Sequence, residues 1–159
     1  MIILGIDPGT VRVGYALLQK ETGNASLIAY GCLQIKNKKQ TERLTEISRL
    51  ISDLILKYRP ETLAIEKLFF TKNAKTALAV SEARGVIINS ASSLNLEVLE
   101  FTPLEVKAAI TGYGKAEKYH VQKMICRILK LEKIPRPDDA ADAIAIGLTA
   151  CYTNPKLKN

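Results

Sequence analysis

The sequence predicts an α/β domain built on a mixed β-sheet. Three short apolar runs near the N-terminus are separated by turn signals and predict an antiparallel meander. Strands then alternate with segments whose apolar residues recur at helical spacing, which gives the order β-β-β-α-β-α-β-α-α-α. A chain of 159 residues is long enough to bury its own core as one domain.

The first three strands are predicted at residues 2–6, 12–19 and 26–35. The first is a short apolar run that stops at the turn Asp7–Gly9. The cluster Glu21–Asn24 predicts a hairpin between the second and third strands. Gly31 either weakens the third strand or marks a bulge.

The middle of the chain predicts a helix, a strand, a second helix and a fifth strand. Thr41 is the expected N-cap of the first helix, and Pro60 lies beyond its end. Between them, apolar residues recur at helical spacing from Leu44 to Ile55. The fourth strand is expected at 62–66, an alanine-rich helix at 74–92 and the fifth strand at 96–100.

Three helices are expected in the last third of the chain. Thr102–Glu105 combines a capping box with a proline at the first helical position, and this short helix breaks at Gly112–Gly114. The next helix has apolar residues from Val121 to Leu129 and is expected to end at Pro135 and Pro137.

The last helix has Asp138 as its expected N-cap, ahead of the apolar segment Ala140–Tyr152. The predicted domain therefore covers residues 1–153, and residues 154–159 are expected to form a flexible tail.

Composition excludes several functional classes. Three cysteines, widely spaced and never in a CxxC pair, exclude a disulfide framework and a cysteine-based zinc site. A single histidine disfavours a histidine metal site and a histidine-dependent triad. Neither a signal peptide nor a 20-residue apolar span is visible, so we expect a cytoplasmic protein with no membrane partner. The net charge of +7 favours a polyanionic partner.

Four carboxylates stand where an ordinary core would not place them. Asp7 ends the first strand, Glu66 ends the fourth, and Asp139 and Asp142 lie one turn apart on a helix start. Functional groups gather at the carboxyl ends of strands, and clustered carboxylates need a cation. Oxygen ligands select Mg²⁺ or Mn²⁺, and two such ions can drive phosphodiester hydrolysis.

Simpler interpretations of each acid remain open at this point. Asp7 before Pro-Gly is also an ordinary turn residue, and Glu66 is also able to pair with Lys67. The acids from Asp138 to Asp142 also complement a helix N-terminus.

Basic residues concentrate in one part of the chain. Residues 103–136 contain eight basic and three acidic side chains and so carry +5 of the net +7. They include Lys107, Lys115 and Lys118, which are candidate phosphate contacts, whereas a solvated helix face is the open alternative for Lys123 to Lys133. Phe69 and Phe70, close to Lys72, favour base stacking, or alternatively core packing or a dimer interface.

These motifs together resemble the RuvC family of Holliday-junction endonucleases. The matching stretches are ILGIDPGTVRVG (3–14), AIEKLFFTKNAKTALAVSEARG (64–85), VKAAITGYGKAEK (106–118) and DAADAIAIG (139–147). The resemblance implies an RNase H-like fold, a five-stranded mixed sheet flanked by helices. It also implies a homodimer that binds four-way junction DNA, nicks it symmetrically with Mg²⁺ at thymine-containing sequences, and works with RuvA and RuvB.

The resemblance also assigns roles to particular residues. The four acids of the family correspond to Asp7, Glu66, Asp139 and Asp142. Lys107 and Lys118 correspond to basic residues near the catalytic centre, and Phe69 to an aromatic that stacks on junction bases. Lys115 is added as a DNA contact because it lies in the same basic stretch.

The expected mechanism is hydrolysis by two metal ions. Asp7 would bridge the two Mg²⁺ ions, with Mn²⁺ as a substitute, and Glu66 and Asp142 would each hold one, assisted by Asp139. Water would attack phosphorus in line and leave a 5′-phosphate and a 3′-hydroxyl. The adjacent Asp138 would exchange roles with Asp139 if the helix started elsewhere.

Three other functions compete with this prediction. The loop Gly5–Thr10 is also similar to the first phosphate loop of the actin and heat-shock ATPases, but those chains are much longer and have a second phosphate loop. A structure-selective nuclease acting on flaps or general branches would have the same acids. A non-catalytic junction-binding protein would gain nothing from acids placed beside phosphate.

Overall fold

The computed structural model describes residues 1–68 and 74–153. In these ranges the strands are β1 (Ile2–Asp7), β2 (Arg12–Glu21), β3 (Asn24–Gln34), β4 (Thr62–Glu66) and β5 (Glu97–Phe101). The helices are α1 (Gln40–Tyr58), α2 (Ala74–Ser93), α3 (Pro103–Thr111), α4 (Lys118–Leu129) and α5 (Asp138–Tyr152). The predicted order of elements is confirmed.

The sheet is mixed and has the strand order β3-β2-β1-β4-β5. The first three strands form the predicted antiparallel meander, whereas β1 and β5 each pair in parallel with β4. Ile6 of β1 lies opposite Ile65 of β4, so Asp7 and Glu66 come next on neighbouring strands. The topology thus brings the carboxyl ends of β1 and β4 together.

The central strands are buried on both faces, and each face supports its own core. Leu4 and Ile6 pack with residues of α1 and α2 on one face. Ile3 packs with residues of α3, α4 and α5 on the other. Because side chains alternate along a strand, Asp7 shares the face of Ile3 and Gly5 and points toward α5.

Two glycines let α5 approach the sheet closely enough to reach the strand ends. A Cβ atom on Gly5 would overlap the carbonyl oxygen of Ala143, and one on Gly14 would overlap the carbonyl oxygen of Asp139. Gly14 is also the cross-strand partner of Asp7. Because glycine has no side chain at these two positions, the start of α5 lies directly over the end of β1.

The helix starts differ in part from the sequence prediction. The capping box of α3 is confirmed, since Glu105 N donates to Thr102 Oγ1 at 3.1 Å and Thr102 N donates to Glu105 Oε2 at 2.7 Å. Thr41, however, is not an N-cap: α1 begins at Gln40, whose side chain donates to Glu82 on α2 at 2.7 Å. The helix therefore starts one residue before Thr41, at a residue whose side chain bonds to α2.

Helix α4 ends before its expected proline stops. Lys130 adopts a left-handed conformation (φ 53°), and Leu131 N donates back to the carbonyl of Cys126 at 2.9 Å. Leu131 then packs against the core. This C-terminal hydrogen bonding and the apolar contact that follows it end the helix at Leu129, well before Pro135.

The bulge in β3 is not at Gly31. Leu17 pairs with Ala29 but Leu18 pairs with Leu27, which leaves Ile28 as the extra residue. Gly31 instead lies opposite Tyr15, whose ring is 2.9 Å from where a Cβ would stand. Gly31 is therefore accounted for by a side chain packed across it.

Within the described part of the chain, none of the helices has both the length and the apolar character needed to cross a membrane.

Candidate active site

A cleft of ≈ 240 Å³ opens where the carboxyl ends of β1 and β4 meet α3, α4 and α5. Its polar lining consists of three acids and two lysines: Asp7, Glu66, Asp142, Lys107 and Lys118. Apolar side chains, among them Val106, Val121 and Ile146, line the rest. The cleft lies at the edge of the sheet where the sequence predicted the functional groups.

Each acid in the cleft is placed by a different element. Asp7 is the last residue of β1 and Glu66 the last residue of β4, so the parallel pairing of these strands makes them neighbours. Asp142 is in the second turn of α5, one residue before the Ala143 carbonyl that rests on Gly5. The structure therefore brings together three of the four acids predicted from the sequence.

The electrostatics of the cleft disfavour three simultaneous negative charges. Burial, followed by the charges of Asp142, Glu66 and Asp139, raises the pKa of Asp7 from 3.8 to about 7, although Lys118 opposes the shift. Burial and then Asp142 also raise the pKa of Glu66, against Lys107 and Lys118. Without a further cation, Asp7 therefore keeps its proton up to about pH 7.

Lys118 supplies part of the missing positive charge. Its Nζ donates to Asp142 Oδ2 at 2.7 Å and lies 3.7 Å from Asp138 Oδ2. Burial works against the charged ammonium, but the hydrogen bond and the charge of Asp142 outweigh it and raise the pKa of Lys118. One lysine thus neutralises one of the clustered carboxylates.

Asp139, the fourth predicted acid, is held differently. Its Oδ2 accepts a hydrogen bond from Nη2 of Arg12, the first residue of β2, and lies 3.9 Å from Sγ of Cys32. Asp139 is not part of the cleft lining. Its charge nevertheless reaches Asp7, whose pKa it helps to raise.

Asp138 is not the N-cap predicted from the sequence. Helix α5 has Pro137 at its N-cap position, and Asp138 is the first helical residue. The Asp138 carboxylate pairs instead with Nη1 of Arg136. With this helix start, Asp142 points into the cleft while Asp138 and Asp139 meet cations at its rim.

The predicted DNA contacts fall in different places. Lys107 on α3 and Lys118 on α4 line the acidic cleft. Lys115 instead lines a separate groove of ≈ 560 Å³, together with Tyr113 and Lys123. Phe69 lies outside the described residues, as do Phe70 and Lys72.

Sequence reasoning missed two arginines next to the acids. Arg12 holds Asp139, and Arg84 on α2 donates from Nε to the backbone carbonyl of Glu66 at 2.8 Å while its Nη2 bonds Glu100. In the sequence, Arg84 is visible only as the one arginine of α2, among mostly small residues. In the structure, 17% of its side chain is exposed. Neither pairing could be read from sequence spacing.

The donor set of the cleft fits a hard divalent cation. Asp7, Glu66 and Asp142 offer only carboxylate oxygens, and their mutual repulsion is of the kind that Mg²⁺ relieves. Among residues 1–68 and 74–153, no three His, Cys, Asp or Glu side chains are placed to hold one ion together. Two of the predicted ligands are in ion pairs, Asp142 with Lys118 and Asp139 with Arg12.

The sequence is similar to that of one family of nucleases over nearly its whole length. The family model for the crossover junction endodeoxyribonuclease RuvC matches residues 3–150. The RuvC of Halothermothrix orenii is 46% identical over 155 residues, which cover 97% of this chain and 93% of that protein.

Solved structures give the same result. The Thermus thermophilus RuvC structure superposes with a TM-score of 0.87 at 32% identity and covers 96% of this chain and 95% of its own. The same protein in complex with a Holliday junction substrate gives 0.86 at 30% identity, with 96% and 94% covered. The predicted RNase H-like fold is therefore confirmed, and the chain belongs to the RuvC family of crossover junction endodeoxyribonucleases.

Proposed function

We propose that this protein is a Mg²⁺-dependent endonuclease that resolves four-way DNA junctions by paired symmetric nicks. The observation that carries the proposal is the convergence of Asp7, Glu66 and Asp142 with two lysines in one cleft. Membership of the RuvC family supplies the reaction class. The Thermus thermophilus relative that superposes on 96% of this chain was solved with a Holliday junction substrate.

The carboxylates would hold the metal ions. Bound there, Mg²⁺ would supply an activated water and charge stabilisation at the scissile phosphodiester, leaving a 5′-phosphate and a 3′-hydroxyl. Asp7 is the acid whose pKa is shifted by Asp142, Glu66 and Asp139 alike, which supports a central role for it among the carboxylates that would hold the metal. It must lose its proton before it can act as a ligand.

The lysines of the cleft would receive the DNA backbone. Lys107 and Lys118 lie beside the acids, so a phosphodiester entering the cleft meets positive charge as well as carboxylates. Lys115, on the neighbouring groove with Lys123, would contact phosphates farther from the cut. Phe69 stays a predicted base-stacking residue, and this role rests only on its match to an aromatic residue of the RuvC family.

Two nicks placed symmetrically require two cleavage sites related by a two-fold axis. A homodimer satisfies this requirement, because each subunit would present one cleft to one strand of the junction. We extend the proposal to RuvA and RuvB as partners, since the resemblance to the RuvC family implies branch migration before cleavage.

The proposal is tested by incubating the purified protein with labelled four-way junctions, flaps and linear duplex, in Mg²⁺ and in EDTA. We expect paired nicks on the junction in Mg²⁺ and none in EDTA. Equal cutting of flaps would instead indicate a structure-selective nuclease of the same fold. Rapid cutting in EDTA would remove the metal from the proposal.

Two variants assign the chemistry to the cleft. Asp7→Asn is expected to abolish cleavage but retain junction binding, because it removes a ligand without adding negative charge. The control is Asp53→Asn, which alters an exposed acid on α1 that pairs with Arg49. A normal cleavage rate in Asp7→Asn would contradict the metal assignment.

A further inference from the structure

Arg12 connects β2 to the start of α5 through a single carboxylate. Arg12 and Gly14 point to the same face of β2, and the backbone of Asp139 rests on Gly14. The guanidinium of Arg12 therefore lies beside the Asp139 carboxylate and donates to its Oδ2. Cys32, the cross-strand partner of Gly14, contacts the same oxygen from β3 at 3.9 Å.

One of the four predicted ligands is in this ion pair and is not part of the cleft lining. Asp7, Glu66 and Asp142 line the cleft, whereas Asp139 does not. Asp139 is still close enough for its charge to raise the pKa of Asp7. Asp139 is thus near the other acids, with its Oδ2 committed to a cation of the chain itself.

The pair lies at an accessible rim. The Arg12 side chain is 46% exposed and that of Asp139 is 30% exposed. A pair this accessible to water is weak enough to be replaced by a stronger cation. A divalent ion between carboxylates attracts Asp139 and repels the guanidinium at the same time.

We propose that Arg12 is a positioning residue that competes with the divalent cation for Asp139. In the metal-free protein Arg12 neutralises Asp139 and holds it at the rim of the cleft. Metal binding releases the pair, and Asp139 becomes the fourth carboxylate of the site. This inference rests on the proposed metal-dependent function and adds to it the residue that sets metal affinity.

The size of the effect follows from the exposure of the pair. An accessible ion pair lowers the affinity of a competitor by roughly two- to fivefold. Removing the guanidinium also removes its repulsion of the incoming cation. We therefore expect Arg12→Gln to bind metal about two- to fivefold more tightly than the unaltered protein.

The test is a titration with Mn²⁺ alone, followed by calorimetry, without DNA or cleavage. The proteins compared are the unaltered chain, Arg12→Gln, Asp139→Asn and the double variant. Arg12→Lys keeps the charge but loses the planar fork and should lie in between. Arg136→Gln is the matched control, because Arg136 also pairs with an acid of the first turn of α5, Asp138, outside the cleft lining.

The double variant separates competition from a general structural effect. If Arg12 acts through Asp139, Arg12→Gln tightens binding in the unaltered background but not in the Asp139→Asn background. Equal tightening in both backgrounds, or equal tightening by Arg136→Gln, would overturn the inference. Circular dichroism of each variant verifies folding, and Arg12→Lys carries the test if Arg12→Gln does not fold.

The outcomes also separate this inference from the proposed function. If Mn²⁺ binds the unaltered chain, Asp7→Asn abolishes binding and Arg12→Gln changes nothing, the metal site stands and the role of Arg12 is wrong. If Mn²⁺ binds none of the proteins, the metal-dependent function itself is wrong, and this inference fails with it.

Discussion

Replacing Asp7 by asparagine should stabilise the metal-free protein, and increasingly so as the pH rises. The pKa of Asp7 is about 7 in the folded protein against 3.8 as its ordinary value. Well below pH 3.8 Asp7 is protonated in both the folded and the unfolded state, so it does not lower the free energy of unfolding. Between these values the unfolded chain releases the proton while the folded protein keeps it, so stability falls as pH increases through about 7.

The magnitude follows from the shift. About three pH units at 1.36 kcal/mol per unit give a loss of roughly 4 kcal/mol above pH 7. At pH 5 only about 1.6 kcal/mol of it has been lost. Asparagine is neutral throughout, so the advantage of the Asp7→Asn variant should grow by roughly 2–3 kcal/mol between pH 5 and pH 8.5.

Urea unfolding in EDTA at the two pH values measures this growth directly. The quantity compared is the increase in the stability difference between the two pH values, so any pH-independent effect of the asparagine side chain on packing cancels. Asp53→Asn is the control, because this acid lies exposed on α1 beside Arg49. Adding Mg²⁺ at pH 8.5 should stabilise the unaltered protein far more than Asp7→Asn. An advantage that stays constant or shrinks with pH would refute the electrostatic account of the cleft.

Four further outcomes are expected from the same structure. Cleavage at limiting Mg²⁺ should increase as the pH rises through about 7, where Asp7 loses its proton, and the midpoint should fall at higher Mg²⁺. Gly14→Ala should lower the free energy of unfolding by about 3 kcal/mol, because the new methyl group overlaps the carbonyl of α5. Thr102→Ala removes a confirmed cap and should cost about 1 kcal/mol in thermal unfolding. Lys107→Ala should weaken junction binding. It should also reduce the magnitude of the slope of log affinity against log salt concentration by about one.

The positions of Asp7 and Glu66 could be predicted because they depend on local signals. A buried strand that ends in an acid is visible in the sequence, and parallel neighbouring strands end at the same edge. The hairpin at Thr22-Gly23 and the capping box of α3 were equally local, and both are confirmed. For these features, residues within a few positions of one another determine where each element begins or ends, whereas the pairing of β1 with β4 joins residues about 60 positions apart.

The start of α5 could not be fixed in the same way. Aspartate is a preferred N-cap residue, but the helix begins at Asp138 and Pro137 occupies the cap position. One residue changes which acid faces the cleft, since side chains on a helix rotate by about 100° per residue. The choice is made by the close contact of α5 with Gly5 and Gly14, which belong to strands far away in sequence.

The pairing of Arg12 with Asp139 joins residues 127 positions apart and left no local trace. The sequence indicated acids that need a cation and, separately, basic residues that need an anion. In the structure, two of these acids pair with two of the basic residues: Lys118 with Asp142 and Arg12 with Asp139. The same lysine that is proposed to meet DNA phosphate therefore also neutralises the acids before metal arrives. A metal that binds the carboxylates frees these cations beside the cleft, where a phosphodiester would meet them, so metal and DNA binding should favour one another.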